Sequence, residues 1–568
     1  MTARVEPYGD NQRLLAVRDA YDVREQLKRI PGARWVARER AWLMPNSPLT
    51  VKALLQILPS GVPEPTAALA VKAELSQRLS PELNEPLPNY SLVGPAWLHQ
   101  TRAARWLTTR DAALLQYGMR TGKTRSTLDA VRHLGAPVTL VLAPLNACAV
   151  WEREAARHHP NHFRFLRLDK GSTARRLKLL QMEILRSRGR QLIVALNFEA
   201  AWREPMGAAL LKVHPDILVI DEIHRLKSPS SHQSRYAAQL GRNSGRRWGL
   251  SGTPLSQALE DAYAVFRALD TGVFGTSYAA FMAKYCIMGG YGGHEVLGYQ
   301  NVEEFRERYF SLTLAATRDV LDLPPAIHET VFVELPRQAQ ELHDAILEEA
   351  IGYLEGGSRE VVVTNVLTRF LRMSQIASGH VRTTATLSEE EMLMEIDSPF
   401  VDTSRVEEVH TAKQSATIDI LQDLDRSEPV VVFCRFKHDM VQVAAAARET
   451  GREYYEISGA RRDLALWLAA ADRGAVLGVQ YQSGSESLDL ARASYCIFYD
   501  DVFSLQQCDQ ATARIHSTES KNRVVYFHLV AKDTIDTYIR RTLNKRRDVL
   551  GRLMDERTLD LNKETDSD

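Results

Sequence analysis

The strongest constraint in this chain is a rhythm. Short unbroken apolar runs recur, each followed by a polar or helical stretch, in two separate blocks. In the first block the runs are AALLQ (112–116), VTLVLAP (138–144), QLIVALN (191–197) and DILVIDE (216–222). In the second they are PVVVFCR (429–435), AVLGVQY (475–481), YCIFYDD (495–501) and VVYFHLV (524–530). Continuous apolar runs of this length suit strands covered on both faces. Their alternation with helices predicts an α/β class with parallel sheets. At 568 residues the chain exceeds what a single core holds, since cores stop growing near ~250–300 residues.

The chain divides accordingly. Residues 1–60 read as a small α+β unit: a strand-like opening, a helical stretch Asp19–Arg29, the turn Ile30-Pro31-Gly32 and a strand-like RWVARERAWLMP (34–45). Residues 61–95, rich in proline and leucine, read as a linker. The first sheet domain, with a helical extension, is expected over 96–330. A helical insertion and the second sheet domain follow over 331–555, and a charged tail over 556–568. Between the blocks, 256–400 reads as mostly helical, with a glycine-rich loop at 288–298 and an acidic loop at 388–402.

Composition narrows the class. An apolar fraction of 45% and a charged fraction of 25% are those of an ordinary globular protein. No stretch approaches the ~18 apolar residues of a membrane helix, and MTARVEPYGDNQRLL lacks a signal-peptide layout. Cys148, Cys286, Cys434, Cys496 and Cys508 form no CxxC pair. Neither a zinc module nor a disulfide framework is indicated, and a reducing cytoplasm is expected. The formal net charge is zero, which argues against a passive nucleic-acid binder but not against basic groups gathered in one cleft.

Three motifs carry chemistry. AALLQ leads into Tyr117-Gly118-Met119-Arg120-Thr121-Gly122-Lys123-Thr124 and then a helical stretch. In a strand–loop–helix setting the amides of Met119, Arg120 and Thr121 and the helix N-terminus converge on phosphate oxygens. Gly122 permits close approach, Lys123 supplies charge for the β- and γ-phosphates, and the Thr124 hydroxyl can ligate Mg²⁺. Tyr117 stands where the consensus puts its first glycine; taken alone, such a GKT also serves as an ordinary helix cap. The run DILVI then ends in Asp221-Glu222-Ile223-His224. Two carboxylates at the end of a buried strand are costly unless something binds them. Asp221 would hold Mg²⁺, Glu222 would orient or deprotonate the attacking water, and His224 would complete the nucleotide-contacting set. Ser251-Gly252-Thr253-Pro254 follows a third short strand; in isolation it is a turn, and in this order a link between nucleotide and track. The run Arg157-His158-His159-Pro160-Asn161-His162 reads as a solvated loop rather than a metal site, and 288–298 is not expected to cradle phosphate.

These motifs together resemble superfamily-two helicases, and the extended segments DEIHRLKS (221–228), SGTPLSQALED (251–261) and LVLAPLNACAVWEREA (140–155) resemble the Swi/Snf-type DNA translocases. The likeness continues through LRMSQIASG (371–379), VVVFCRF (430–436), SGSESLDLARASYCIFYDD (483–501) and QATARIHS (510–517), spanning 96 to about 545. It implies two RecA-like parallel-sheet domains with ATP and Mg²⁺ held between them. Gln100 is implied to contact adenine, with Gln510 and Arg514 reaching the nucleotide from the second domain. Asn197, Thr253 and Arg435 are implied as contacts to DNA. Lys123, Asp221, Glu222 and Arg514 form the implied catalytic set. The sequence departs from the family at Ser485 and Ser487, where glycine is usual, and at Ser517, where an arginine finger is usual; Lys521 or Arg523 could substitute.

The resemblance implies an ATP-dependent translocase on double-stranded or forked DNA, without a membrane. Residues 30–45 also resemble the HARP-type domain of annealing helicases, so rewinding is a further expectation. In that unit Arg34, Trp35, Arg38, Arg40 and Trp42 could grip single strands or junctions; the competing expectation is that the tryptophans form a small core with the arginines solvated. Chain length and loose motifs resemble virus-encoded members, implying a bacterial or phage-infected cytoplasm, with nucleoid association. The alternatives are a degenerate, non-hydrolysing scaffold that binds DNA or a partner, and an RNA helicase.

Overall fold

The computed structural model describes residues 3–9, 12–63, 66, 87–88, 90–91, 93–187, 189–252, 258–289, 295–321, 323–356, 359–382, 406–470, 473–481, 490–516 and 523–554. Most of the 61–95 segment, the acidic loop at 388–402 and the 556–568 tail lie outside the described residues.

The chain opens with strands β1 (Arg4–Tyr8), β2 (Leu14–Arg18), β3 (Arg34–Val36) and β4 (Ala41–Pro45). They pair antiparallel in the order β1-β2-β4-β3. The helix Pro48–Ile57 follows, with Ser47 capping it by accepting from the Thr50 amide and Pro48 at its first turn. Two expectations need correction. RWVARERAWLMP is not one strand but a hairpin, turned where Arg40 takes φ 46°. The 19–29 stretch shrinks to a 3₁₀ turn, Tyr21–Val23, and the short helix Arg24–Leu27. Asp19 sits at φ 54°, which stops a helix from starting there.

In the hairpin Trp35 lies directly opposite Trp42, with ring centroids 5.8 Å apart. Trp42 is buried with Val17, Leu27, Met44 and Leu54, whereas Trp35 is 52% exposed. The tryptophan pair is therefore half core and half surface. Arg13 fastens this sheet to the first large domain by donating from Nη1 to the Gly241 carbonyl at 3.1 Å and from Nη2 to that of Ser244.

The chain separates into two compact units, one of Met1–Val320 with Leu553–Asp568 and the other spanning Leu321–Arg552. In the first unit β5 (Ala112–Tyr117), β6 (Val138–Ala143), β7 (Arg164–Arg167), β8 (Leu192–Asn197), β9 (Ile217–Asp221) and β10 (Arg246–Ser251) are laid down in turn. A hairpin, β11 (Cys286–Gly289) and β12 (Glu295–Tyr299), occupies part of the glycine-rich segment, whose 290–294 tip is outside the described residues. β13 (Thr313–Ala316) completes a seven-stranded sheet in the order β13-β5-β10-β9-β6-β8-β7. Every pairing in it is parallel.

The second unit begins with β14 (Ile327–Val333), so the chain enters the second sheet at Ile327. Two long helices, Arg337–Gly356 and Arg359–Ala377, follow, then a small ladder of β15 (His380–Arg382) and β16 (Val406–Glu408). β17 (Val430–Cys434), β18 (Tyr454–Ile457), β19 (Val476–Gln480), β20 (Tyr495–Phe498) and β21 (Val525–Ala531) build a six-stranded parallel sheet ordered β14-β21-β20-β17-β19-β18. The α/β class, with two parallel sheets, is thereby observed. A buried lysine ties the second unit together. Lys413 Nζ lies 2.8 Å from Asp500 Oδ1 and 2.8 Å from Asp536 Oδ2. Burial opposes its charge, but the two carboxylates outweigh that and raise its pKa.

The tryptophan pair gives a stability test. Trp42→Ala should lose about 3–5 kcal/mol, the usual cost of emptying a buried aromatic site, whereas Trp35→Ala should stay within about 0.5 kcal/mol. Urea unfolding followed by limited proteolysis of the N-terminal sheet checks both, and equal losses would show that the two rings share one buried environment.

Candidate active site

Parallel strands deliver their C-terminal ends to one edge of a sheet. In the first unit β5, β10 and β9 are consecutive neighbours. The loop 118–122 leaves β5, Gly252 leaves β10, and Glu222 to His224 leave β9. Three segments far apart in sequence are thus brought to one rim, the usual place for ligand sites in such sheets.

The phosphate-loop candidate is held from behind. Thr121 is fully buried, and its hydroxyl donates to the Gly118 carbonyl at 2.8 Å. Its own carbonyl meets His99 Nε2 at 2.8 Å and accepts from Gln100 Nε2 at 3.1 Å. Gln100 Oε1 in turn accepts from the Trp97 amide at 3.2 Å, at the start of the helix Leu98–Thr108. Gly122 takes φ 89°, and a Cβ there would overlap the Gln100 side chain, so only glycine fits. Tyr117, the departure from consensus, is fully buried and donates its hydroxyl to the His99 carbonyl at 3.0 Å. It anchors the loop where a glycine would have let it bend.

Lys123 opens the helix Lys123–Leu134, with Thr124 beside it. Its Nζ donates to the carbonyls of Tyr117 at 2.9 Å and Gly118 at 3.2 Å, which leaves one of its three N–H donors for a ligand. Burial lowers its pKa, while the charges of Glu222 and Asp221 act to raise it. The lysine and both carboxylates therefore share one electrostatic site. Met119 and Arg120 form the crest of the loop, Arg120 with φ 63°.

Asp221 ends β9 and is buried. Its Oδ2 accepts from Trp151 Nε1 at 2.9 Å and its Oδ1 from the Glu222 amide at 3.0 Å. Burial first, and the Glu222 charge second, push the Asp221 carboxyl up to about 6. Glu222 takes φ 51°. Burial would raise its pKa as well, but His224 and Lys123 bring it below the usual carboxylate value. Its Oε2 is buried without a hydrogen-bond donor, 3.3 Å from His224 Nδ1. His224 Nδ1 also lies 3.0 Å from Ser251 Oγ, joining the ends of β9 and β10. Thr124 and Asp221 offer hard oxygen donors of the kind Mg²⁺ takes. A carboxylate held ionised beside His224 suits a group that receives a proton from water.

The remaining candidates sit elsewhere. Asn197, at the end of β8, donates to Glu199 Oε2 at 2.8 Å, and Glu199 pairs with Arg225 at 2.7 Å. Thr253 lies outside the described residues, as do Ser485, Ser487, Ser517 and Lys521. In the second unit Arg435 donates to Ser374 Oγ at 3.2 Å and lies over the ring of Phe436. Gln510 and Arg514 are both half-buried on the helix Leu505–Ile515, and four residues apart they share a face.

The histidine run needs correction. His158 and His159 are not solvated but buried. His158 Nδ1 is 2.7 Å from Ser91 Oγ and its Nε2 is 3.2 Å from Glu154, while His159 Nε2 is 3.1 Å from Asp129. Their inward position at the end of the helix Leu145–His158 sets them against buried polar neighbours. Among the described residues no cluster of three or more His, Cys, Asp or Glu side chains is placed to hold a metal ion. Nor, among them, is any helix long and apolar enough to cross a membrane.

Comparison with known proteins agrees with these motifs. A family profile described as the SNF2-related domain matches residues 99–380. "Putative protein p41" of Acyrthosiphon pisum secondary endosymbiont phage 1 is 26% identical over 476 residues, 77% of this chain and 93% of that protein. The Arabidopsis thaliana CHD3-type chromatin-remodeling factor CHR7 is 22% identical, covering 81% of this chain and 37% of its own length. This chain thus spans well under half of that chromatin relative. Among solved structures, the Sulfolobus solfataricus SWI2/SNF2 ATPase core in complex with dsDNA aligns with 84% of this chain and 96% of its own, at 18% identity and a TM-score of 0.38.

The raised Asp221 carboxyl carries a signed prediction. The folded state holds that proton more tightly than the unfolded chain, whose carboxyl titrates near ~3.9. Stability is therefore highest below that value and is lost as pH climbs through about 6. Asp221→Asn, which keeps one acceptor and no charge, should gain melting temperature relative to the parent as pH rises from 5 to 8, by about 3 °C or more. A difference that is flat with pH would mean the carboxyl titrates normally.

Proposed function

We propose that this chain, a Swi/Snf-type superfamily-two helicase-like protein with an SNF2-related domain over residues 99–380, is an ATP-dependent DNA translocase. It would couple ATP hydrolysis to movement on, or remodelling of, duplex DNA. The observation that carries the reading is the shared site of Lys123, Asp221 and Glu222 at the ends of neighbouring strands.

In this reading the loop amides, Gly122 and Lys123 hold the phosphates, and Gln100 fixes the loop that does so. Thr124 and Asp221 would hold Mg²⁺, which screens charge on the β- and γ-phosphates when bound. Glu222 orients the attacking water and accepts its proton. His224, bonded to Ser251, carries the state of the nucleotide to the segment that contains Thr253. Gln510 and Arg514 are the second unit's contribution implied by the resemblance. Asn197, Thr253 and Arg435 are assigned to the phosphate backbone of DNA, a grip independent of base sequence and weakened by salt. Annealing, and a cytoplasmic setting in a bacterial or phage-infected host, belong to the same proposal.

The N-terminal hairpin supports a further grip on forked DNA. Trp35 is exposed, and Arg34, Arg38 and Arg40 beside it are exposed as well. An exposed indole offers a stacking face for an unpaired base, worth ~1–3 kcal/mol where it operates.

Duplex DNA should stimulate ATP hydrolysis, and Lys123→Ala and Glu222→Gln should each abolish it; equal rates with and without duplex would end the translocase reading. RNA in place of DNA as the better activator would favour the RNA-helicase alternative. Absence of turnover in the parent protein would favour the scaffold. Trp35→Ala should weaken binding to forked DNA about 5- to 100-fold while leaving duplex-stimulated hydrolysis intact. Unchanged fork affinity would return Trp35 to a surface without function.

A further inference from the structure

Asp221 ends its strand with a carboxylate held at both oxygens. Oδ1 accepts from the Glu222 amide at 3.0 Å, and Oδ2 accepts from the Trp151 indole Nε1 at 2.9 Å. Among the described residues that indole is the one side chain that donates to Asp221. It arrives from another element. Trp151 lies on the helix Leu145–His158, which follows β6, and β6 pairs with β9. The ring is 1% exposed and packs in the core of the first unit with Cys148, Ala155 and Val219. Water therefore cannot replace Asp221 as its acceptor. A buried indole N–H needs some acceptor, and a backbone carbonyl is enough for the two other fully buried tryptophans. Trp248 donates to the Arg110 carbonyl at 3.2 Å and Trp467 to that of Ala475 at 3.1 Å. Trp151 alone among the three is spent on a carboxylate, and on the one assigned to the cation.

We propose that Trp151 is a positioning residue for the divalent cation: its N–H fixes the orientation in which the Asp221 carboxylate awaits Mg²⁺. The inference rests on the nucleotide-hydrolysing reading above and deepens it at one of its groups. An indole N–H donates and never accepts, so the bond has a single polarity. A carboxylate has room for further bonds on each oxygen after accepting one. Held by the indole and the amide, it meets a cation with its plane already set. Released from the indole, it would have to be ordered when the cation arrives, at a cost in side-chain entropy. Partners that orient a metal-binding group in this way are worth about 10- to 100-fold in metal affinity. The competing account makes Trp151 a core residue with Asp221 as a convenient acceptor. Loss of the indole would then weaken the fold without any preference for the metal. Cys148 provides the control for that account. It is buried in the same core three residues earlier on the helix, and its thiol is directed to the Pro144 carbonyl, 3.6 Å away.

Trp151→Phe and Trp151→Met, two replacements of different shape that both lack the donor, are compared with Cys148→Ala and the parent. Three quantities are measured: ADP affinity with Mg²⁺, ADP affinity with EDTA, and the Mg²⁺ concentration that half-saturates DNA-stimulated hydrolysis. Both Trp151 variants are expected to bind metal-free ADP within about twofold of the parent and to lose about 10-fold or more of the affinity that Mg²⁺ adds. Their half-saturating Mg²⁺ should rise by about the same factor, with kcat largely recovered at saturating metal. Cys148→Ala should melt at a lower temperature and keep the parent's ratio of the two ADP affinities. The proposal is overturned if either folded Trp151 variant keeps that ratio within about twofold, or if Cys148→Ala changes it equally. It also fails if metal-free and metal-bound ADP weaken together, or if neither Trp151 variant folds, since the indole then belongs to the core alone. A parent that binds ADP in neither condition would sink the nucleotide reading itself, an outcome distinct from failure of the Trp151 assignment.

Discussion

Charge confinement organises the first unit. Two adjacent carboxylates, Asp221 and Glu222, sit at the dry end of a strand buried on both faces. Unaided, burial would neutralise them both. The protein distributes the burden unevenly. Trp151 and a backbone amide hold Asp221, His224 holds Glu222, and Lys123 acts on both. Asp221 nonetheless remains raised, a shift that a nearby cation would oppose. The second unit solves the matching problem differently. There the buried Lys413 is held between Asp500 and Asp536, each 2.8 Å away, so that lysine and carboxylates restrain one another inside the unit. One buried ionic cluster lies at the proposed nucleotide site, and the other serves as a fastening.

Backbone conformation agrees with that distinction. Arg120, Gly122 and Glu222 all take positive φ values, at 63°, 89° and 51°. Only one of the three is glycine, and the cost of the other two falls in the loops that leave the neighbouring strand ends of β5 and β9. Around them the packing is rigid, with Tyr117, Thr121, Trp151 and Ser251 almost fully buried. Strained crest residues on an immobile base are what a preorganised site requires.

Much of this was legible in the chain itself, and the exceptions have physical causes. The eight apolar runs became strands because central strands of a parallel sheet cannot tolerate polar residues on either face. β14 escaped notice because it lies at the edge of its sheet. Its sequence IHETVFV mixes charge with apolar residues and most of its side chains are exposed. β13 and β7, also edge strands, are only four residues long. At the site, Gly118 to Thr124 and Asp221 to His224 are each contiguous in the chain, so both segments could be picked out as candidates from sequence. Trp151 could not, because its partner Asp221 is 70 positions away and the indole gives no local sign of that bond. His158 and His159 misled for a related reason: charge and proline suggest a solvated loop, while their partners Ser91 and Asp129 are brought in from elsewhere.

The mounting of the N-terminal sheet has a mechanical consequence. Arg13 is bound to two carbonyls at the C-terminal end of the helix Ser231 caps, Gly241 and Ser244, and Gly32 and Pro45 approach the short helix at Thr271. Those anchoring elements belong to the segment that follows the Asp221–Glu222 strand and flanks β10. Under the proposed grip, a strand stacked on Trp35 would be carried with the elements to which Arg13 is fastened.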